Sequence, residues 1–498
     1  LGSKQFNEDP ILITDAQFAA WLGDSSAQRV MLFTVGVKSN GVDIVRRLST
    51  KAYIGAANTP YLAVVAGGLK VTESISMNSD ASLSAGDIEI FNGDGRFDAW
   101  LDDVWANGDV AGFLGDVRWD EGDFRQVFAG TTIDIGCKSR DRLNLRLANK
   151  LERLNTPVTD VKIGGNATNP DALVPVLLGE ASNISPVQTN PNTLEYAFGD
   201  GVNEGVLEVR TDGKPRGAIT VTAGTGRFVF NEAVGTGVVT CSAQGTKYNG
   251  VYVNTISQLV QYLVTQRGKS TTRFTSADLD ATQLAAFDAA NPQPVGLWLT
   301  ERTNVLVACQ QLAGSIGAQL VPSMSGKLRL IQFAIPATAT TSIPRSQQLD
   351  RSISIVNRTE VAAAVKIGYC RNWTVQENLQ TTLPDAHKNL YAQEWLSVTA
   401  VDTAVQATYK RDAEPDLIET CLLRKTDAQA EANRRLAIVK VPRTTYRFEA
   451  TPAQLLTELG QAVTLFSNRF GLAAGKVGIV TSRSVDWGTL RTTLEVTV

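Results

Sequence analysis

The chain has one histidine, His387, in the polar stretch Leu383-Pro384-Asp385-Ala386-His387-Lys388-Asn389. A Ser-His-Asp or Cys-His mechanism needs that imidazole organised by a nucleophile and a carboxylate, and no Gly-x-Ser-x-Gly elbow is present. His387 therefore reads as a surface-loop residue, and the same scarcity removes His-Glu-x-x-His zinc sites. Paired carboxylates are the other route to hydrolysis, since two of them flanking a glycosidic bond can cleave it. Asp102-Asp103 and Asp120-Glu121 are adjacent, so their side chains diverge on a helix or strand. Asp116 with Asp120 or Glu121 is the pair a loop would bring together, although solvated loop carboxylates explain the same residues. Asn92, Asp94 and Asp98 place oxygen ligands around a glycine turn, as calcium loops do. The match to a twelve-residue calcium loop is partial, because Gly95 falls at the fourth position rather than the sixth, and Asp103 stands where the bidentate Glu belongs. A turn followed by an Asp-capped helix accounts for these residues too. No catalytic, cofactor-binding or metal-binding residue is assigned on these patterns.

Other candidates reduce to structure. Cys137, Cys241, Cys309, Cys370 and Cys421 are odd in number and form no Cys-x-x-Cys pair, so they read as reduced, mostly buried small residues. Gly224-Thr225-Gly226 and Gly235-Thr236-Gly237 complete neither Gly-x-Gly-x-x-Gly nor a P-loop and read as hairpin turns. The eight tryptophans are scattered, and Trp100 and Trp105 are expected to pack into a core rather than form a sugar platform.

The elements that would hold these residues are mainly β strands. Residues 15–22 predict a short helix with Phe18, Trp21 and Leu22 on one side; residues 29–37, 42–48, 62–77 and 124–137 predict strands, and Leu143, Leu145 and Leu147 share a face. Residues 98–105 predict a helical turn. From 157 to about 250 the texture turns to Gly, Thr, Asn and Pro, with Pro170, Pro175, Pro186 and Pro191 breaking it into short pieces. Residues 254–268 and 303–316 predict amphipathic helices, followed by a hairpin turned at Ser325-Gly326 and a linker over 334–344. Near the C-terminus Thr426 and Gln429 form a capping box before an Ala-rich helix in which Glu431 can pair with Arg435 and which Pro442 stops. Tyr446 and Phe448 alternate with charged residues, and Leu490, Leu494, Val496 and Val498 line one face of a last strand.

At 498 residues the chain is too long for one core. Its division is expected at 1–156 (β-barrel), 157–252 (Gly/Pro-rich β), 253–343 (small α+β) and 344–498 (β-barrel), a mainly β chain with two small antiparallel barrels near the termini. Lys plus Arg total 47 against 50 Asp plus Glu, a formal charge of -3, which disfavours a protein built to grip DNA. No apolar run is long enough to span a bilayer, and the start, Leu1-Gly2-Ser3-Lys4, is expected to carry no signal-peptide core.

The run Leu459, Gly460, Val463, Leu465, Arg469-Phe470-Gly471-Leu472, Gly475-Lys476, Gly478, Asp486-Trp487 and Leu494-Glu495-Val496 resembles the C-terminal barrel of tail hub proteins of tailed bacteriophages. Asp87-Ile88-Glu89-Ile90 with Asn92-Gly93-Asp94-Gly95 and Asp98, then Val127-Phe128-Ala129-Gly130, resembles the N-terminal barrel of that family, and Val174-Pro175-Val176-Leu177-Leu178-Gly179 the segment after it. The order of these turn patterns carries the resemblance, which covers most of the chain. It implies a non-enzymatic virion protein at the tail tip or baseplate, assembled in the host cytoplasm as a homotrimer whose two barrels per chain make a pseudo-sixfold ring. The implied partners are the distal tail protein, the tape measure protein, other tail-tip or receptor-binding proteins, and DNA that passes without tight binding; no membrane insertion, cofactor or metal is implied. The alternatives are a tail-associated peptidoglycan or polysaccharide hydrolase and a carbohydrate-binding β protein.

Overall fold

The computed structural model describes residues 13–67, 69–77, 81–411 and 414–498; the opening Leu1-Gly2-Ser3-Lys4 lies outside the described residues. The chain is mainly β, with several sheets and a few helices. Near the N-terminus eight strands lie in the spatial order Tyr53–Ile54, Pro60–Ala63, Val42–Ser49, Arg29–Ser39, Asp109–Asp116, Arg125–Ser139, Arg142–Asn149 and Ile88–Phe91. Two features differ from the expected closed antiparallel barrel. Val42–Ser49 and Pro60–Ala63 pair in parallel, Leu48 opposite Leu62. The strand path is also open, because the chain bends after Ala63, where Val64 N–H returns to Leu62 O. The segment just after Pro60–Ala63 meets the edge strand Ile88–Phe91 at a bridge between Val65 and Ile90, with Ala66 N–H donating to Glu89 O and Phe91 N–H to Val64 O, both 2.8 Å.

Period-two alternation fills the space inside this sheet. Leu143, Leu145 and Leu147 are buried with Ile88 and Ile90, and the helix Asp15–Leu22, capped by Thr14 and Gln17, lays Phe18, Trp21 and Leu22 on the same core. That core also takes in Leu455, Val485 and Trp487 from the far end of the chain.

The C-terminal sheet runs Thr341–Ile343, Ala462–Leu465, Lys476–Asp486, Arg491–Thr497, Thr444–Ala450, Ser354–Arg358. It too is an open path and not wholly antiparallel, since Thr341–Ile343 runs parallel to Ala462–Leu465. Tyr446, Phe448, Leu494 and Val496 fill its core as their alternation predicts. Leu490 does not join that face: it sits at φ 54° in the turn before the strand, where Asp486 Oδ1 accepts from the Gly488 and Thr489 N–H groups. Lys476–Asp486 bulges between Val480 and Ser482, and beyond the bulge its free edge receives the hairpin Lys70–Ser74/Ser82–Ala85, with Ser482 opposite Ser74 and Asp486 opposite Lys70. A hairpin from the first hundred residues thus completes the C-terminal sheet.

Between these sheets, Val176–Ile184 pairs with Gly296–Leu299 and with Val239–Tyr248. Gly179 lies opposite Gly296 at φ 64°; a Cβ there would sit 1.9 Å from Val295 O, so the close backbone approach requires glycine. Gly224-Thr225-Gly226 turns the hairpin between Ile219–Thr222 and Arg227–Phe230. Gly235-Thr236-Gly237 does not turn a hairpin, because the chain passes there from Arg227–Phe230 to Val239–Tyr248 in a different sheet. Helices Ile256–Gln266 and Val305–Gly314 bury their apolar stripes in one core with the hairpin Ala318–Pro322/Leu328–Gln332. The helix Lys425–Val439 starts one residue before Thr426, with Arg424 at its N-cap and no side-chain cap, so the expected capping box does not form.

Candidate functional site

The acidic residues near the start of the chain are held apart by separate structural duties. Asp116 ends the strand Asp109–Asp116 fully buried. Its oxygens accept from Trp21 Nε1 (3.0 Å), Gln28 N–H (2.8 Å), Arg118 N–H (3.1 Å), Arg118 Nε (2.6 Å) and Arg118 Nη2 (2.7 Å). The Arg118 guanidinium, with help from the Trp21 and backbone donors, holds this carboxyl far below the usual carboxylate range. Such a group is a poor proton donor at neutral pH and leaves little room for a substrate oxygen. Glu121 faces elsewhere: it accepts from Tyr61 Oη (2.6 Å) and Ala56 N–H (2.8 Å). Burial and the neighbouring carboxylates push the phenol of Tyr53 up to about 12, and Tyr53 Oη donates to Trp119 O at 2.9 Å. Asp120 supplies a backbone carbonyl to Asp123 N–H at the head of a short 3-10 turn. Asp103 forms an ion pair with Arg46, whose guanidinium lies 4.3 Å from the Trp100 ring, while Asp102 is exposed. Trp100 and Trp105 are buried, and Trp105 Nε1 donates to Trp100 O at 2.7 Å.

The glycine turn after Ile88–Phe91 is closed on itself. Asn92 is buried, its oxygen accepts from Phe97 N–H (2.9 Å), and its amide nitrogen donates to Asp98 Oδ1 (2.7 Å). The Asn92 group facing Asp98 is therefore a donor, whereas a shared cation would need an oxygen there. Asp94 is drawn outward to Arg96 at 3.6 Å. His387 is exposed as expected, but on the helix Asp385–Tyr391 rather than in a loop, since Pro384 opens a helical turn there. Among the cysteines, Cys241 and Cys309 are buried and Cys137 is exposed; burial pushes the Cys421 thiol up to about 11. Among the described residues no group of three or more His, Cys, Asp or Glu side chains is placed to hold a metal ion, and no helix is long and apolar enough to cross a membrane.

A charged seam escaped the sequence reading. Arg483 is buried on the strand Lys476–Asp486 and faces Glu73 of the added hairpin, Nη1 to Oε2 3.6 Å. Its Nη2 donates to Leu455 O at 3.4 Å, and a second ion pair, Arg329 with Glu458, lies close enough to act on both charges. Burial pushes the Glu73 carboxyl above its ordinary range against the pull of Arg483. The signal was available: Arg483 holds an inward position between Thr481 and Val485, where period-two alternation calls for an apolar side chain.

The fold and these contacts define a mainly β, multi-sheet protein whose candidate carboxylates serve its own architecture. No protein-family model matches the chain, and no curated protein matches it. Among solved structures it is similar to the tail protein from Neisseria meningitidis MC58, at 11% identity over 94% of this chain and 96% of that one, with a TM-score of 0.40. It is also similar to a chain of the virion of a native gene transfer agent particle, at 13% identity over 69% of this chain and 90% of that one, TM-score 0.46. A third is the prophage MuSo2 43 kDa tail protein from Shewanella oneidensis, at 10% identity over 95% and 97% of the two chains, TM-score 0.39.

Proposed function

We propose that this chain is a structural protein of a phage tail, the hub that forms a trimeric ring at the tail tip. In this reading the ring joins the distal tail protein to the central tip, surrounds the end of the tape measure protein and leaves a path for DNA. The order of the barrel-turn motifs in the sequence motivates it. The observation that carries it is the hairpin Lys70–Ser74/Ser82–Ala85 on the strand Lys476–Asp486, which joins the two terminal β regions by a backbone ladder and a shared core. A ring of three chains needs each chain to present two blocks at a fixed spacing, and a hydrogen-bonded ladder is a stiffer joint than a linker. The hydrolase alternative is weakened because Asp116 and Glu121 are engaged by internal donors.

The test is electron microscopy and mass measurement of the protein assembled with its tail partners. Three copies per ring at the tail tip is the expected result. One or two copies per tip, or release of peptidoglycan fragments by the isolated chain, would overturn the proposal.

A further inference from the structure

A cavity of about 470 Å³ opens where segments far apart in sequence meet, between the end of Val176–Ile184, the helix Val305–Gly314 and the stretches carrying Trp373, Trp395 and Cys421. Its walls are tied by Gly296 N–H to Cys421 O (2.9 Å), Cys370 N–H to Leu422 O (2.7 Å) and Cys421 N–H to Ser315 Oγ (2.8 Å). The space is therefore built into the fold, and its size is that of a small-molecule site, about 300–1,000 Å³.

The chemistry of the walls is selective. Trp373 and Trp395 supply aromatic surface, with the Arg371 guanidinium 4.2 Å from the first ring and 5.4 Å from the second. Both arginines of the lining already have carboxylate partners outside it: Arg371 pairs with Glu394 at 2.8 Å and Arg435 with Glu431 at 2.6 Å. The lining's own carboxylates do not pair with those cations. Glu180 accepts from the Gln244 amide at 2.8 Å and Glu419 is exposed. Gln310 and Gln311 add carboxamides, which both donate and accept. A phosphate or sulfate would meet the carboxylates of Glu180 and Glu419 and cations already neutralised. An uncharged polyol meets the reverse: acceptors for its hydroxyls, donors for its ring oxygens, and indole surface for its C–H faces.

We propose that this cavity is a binding site for a short uncharged saccharide, with Trp395 as the stacking wall and Glu180 and Glu419 accepting from sugar hydroxyls. The proposal concerns the single chain and stands or falls independently of the ring reading. It is tested on the full-length protein by calorimetry and saturation-transfer NMR with N,N′-diacetylchitobiose, lactose, maltose and methyl α-rhamnoside, with inorganic phosphate as the anionic control. At least one sugar is expected to bind with a Kd of about 1 mM or tighter, and phosphate is not. Trp395→Ala is expected to weaken that binding about tenfold or more. Glu419→Gln, at an exposed position that leaves the fold intact, is expected to weaken it several-fold and controls for misfolding of the first variant. Absence of binding by all four sugars, sugar binding unchanged in both variants, or preferential phosphate binding would each overturn the proposal.

Discussion

At the scale of single residues, Asp116 shows how a carboxylate that looks catalytic in a sequence can be a structural hub. Its five hydrogen bonds include the buried Trp21 indole and the Gln28 backbone N–H, whereas Arg118 is more than half exposed and contributes a solvent-screened ion pair. Asp116→Asn keeps the shape but turns an amide N–H₂ toward donors. We expect a loss of about 1–3 kcal/mol, the cost of leaving buried donors unmatched, read as a lower midpoint in urea unfolding with the mainly β circular dichroism retained. The sign of the pH dependence follows from the lowered folded-state value. Stability from this group is fully present above the unfolded carboxyl value of about 3.9 and is lost as pH falls toward the folded one. The gap between wild type and Asp116→Asn should therefore be constant near neutrality and shrink in acid; a gap that widens in acid would show that another group dominates. Of Asp116's partners only Arg118, two residues on, is near in sequence; Trp21 and Gln28 lie some ninety residues away, and only the fold brings them to it.

At the scale of elements, what could be read from sequence was local periodicity. Strands such as Arg29–Ser39 and Thr444–Ala450 and the helices Ile256–Gln266 and Val305–Gly314 announce themselves by alternation or by an apolar stripe. The helix Ala281–Ala290 does not, since its alanines are spread around it and only Leu284 and Phe287 are buried. The joint between Glu73 and Arg483 depends on a pairing across more than four hundred residues, which no local pattern encodes. A buried ion pair of this kind is costly to break and cheap to replace. Arg483→Met or Glu73→Leu alone should destabilise by about 3–5 kcal/mol, while the two together should recover most of that loss. Additive losses in the double variant, measured by the same unfolding curves, would show that the two side chains do not act as a pair. Arg491–Thr497 is the other decisive element, because it is laddered on both sides and buries Leu494 and Val496 completely. Leu494→Ala should cost about 2–5 kcal/mol, and removal of residues 489–498 should open the C-terminal sheet at its centre and, under the proposed function, stop tail completion; normal tails from that truncation would make the strand peripheral.

At the scale of the whole molecule, charge decides how the proposed conduit treats DNA. The chain carries 47 basic and 50 acidic side chains, so its net charge of -3 supplies no general drive for counterion release. The adjacent Arg434 and Arg435 are already engaged. Both bind Glu431, Arg434 also donates to Phe333 O and Ile316 O, and Arg435 to Gly314 O. These internal partners thus take up cations that would otherwise be open to phosphates, and Arg483 is likewise buried against Glu73. A protein that neutralises several phosphates loses about a thousandfold or more in affinity between low and moderate salt, whereas one without free basic grooves has little affinity to lose. We therefore expect fluorescence titration of the assembled ring with duplex DNA at about 0.15 M salt, where the Debye length is near 8 Å, to show nothing tighter than the micromolar non-specific range. Lowering the salt should strengthen binding only weakly. Nanomolar binding with a steep salt slope would mean that assembly gathers basic side chains from several copies into one lumen, and the ring would then have to be understood as holding the genome rather than letting it pass.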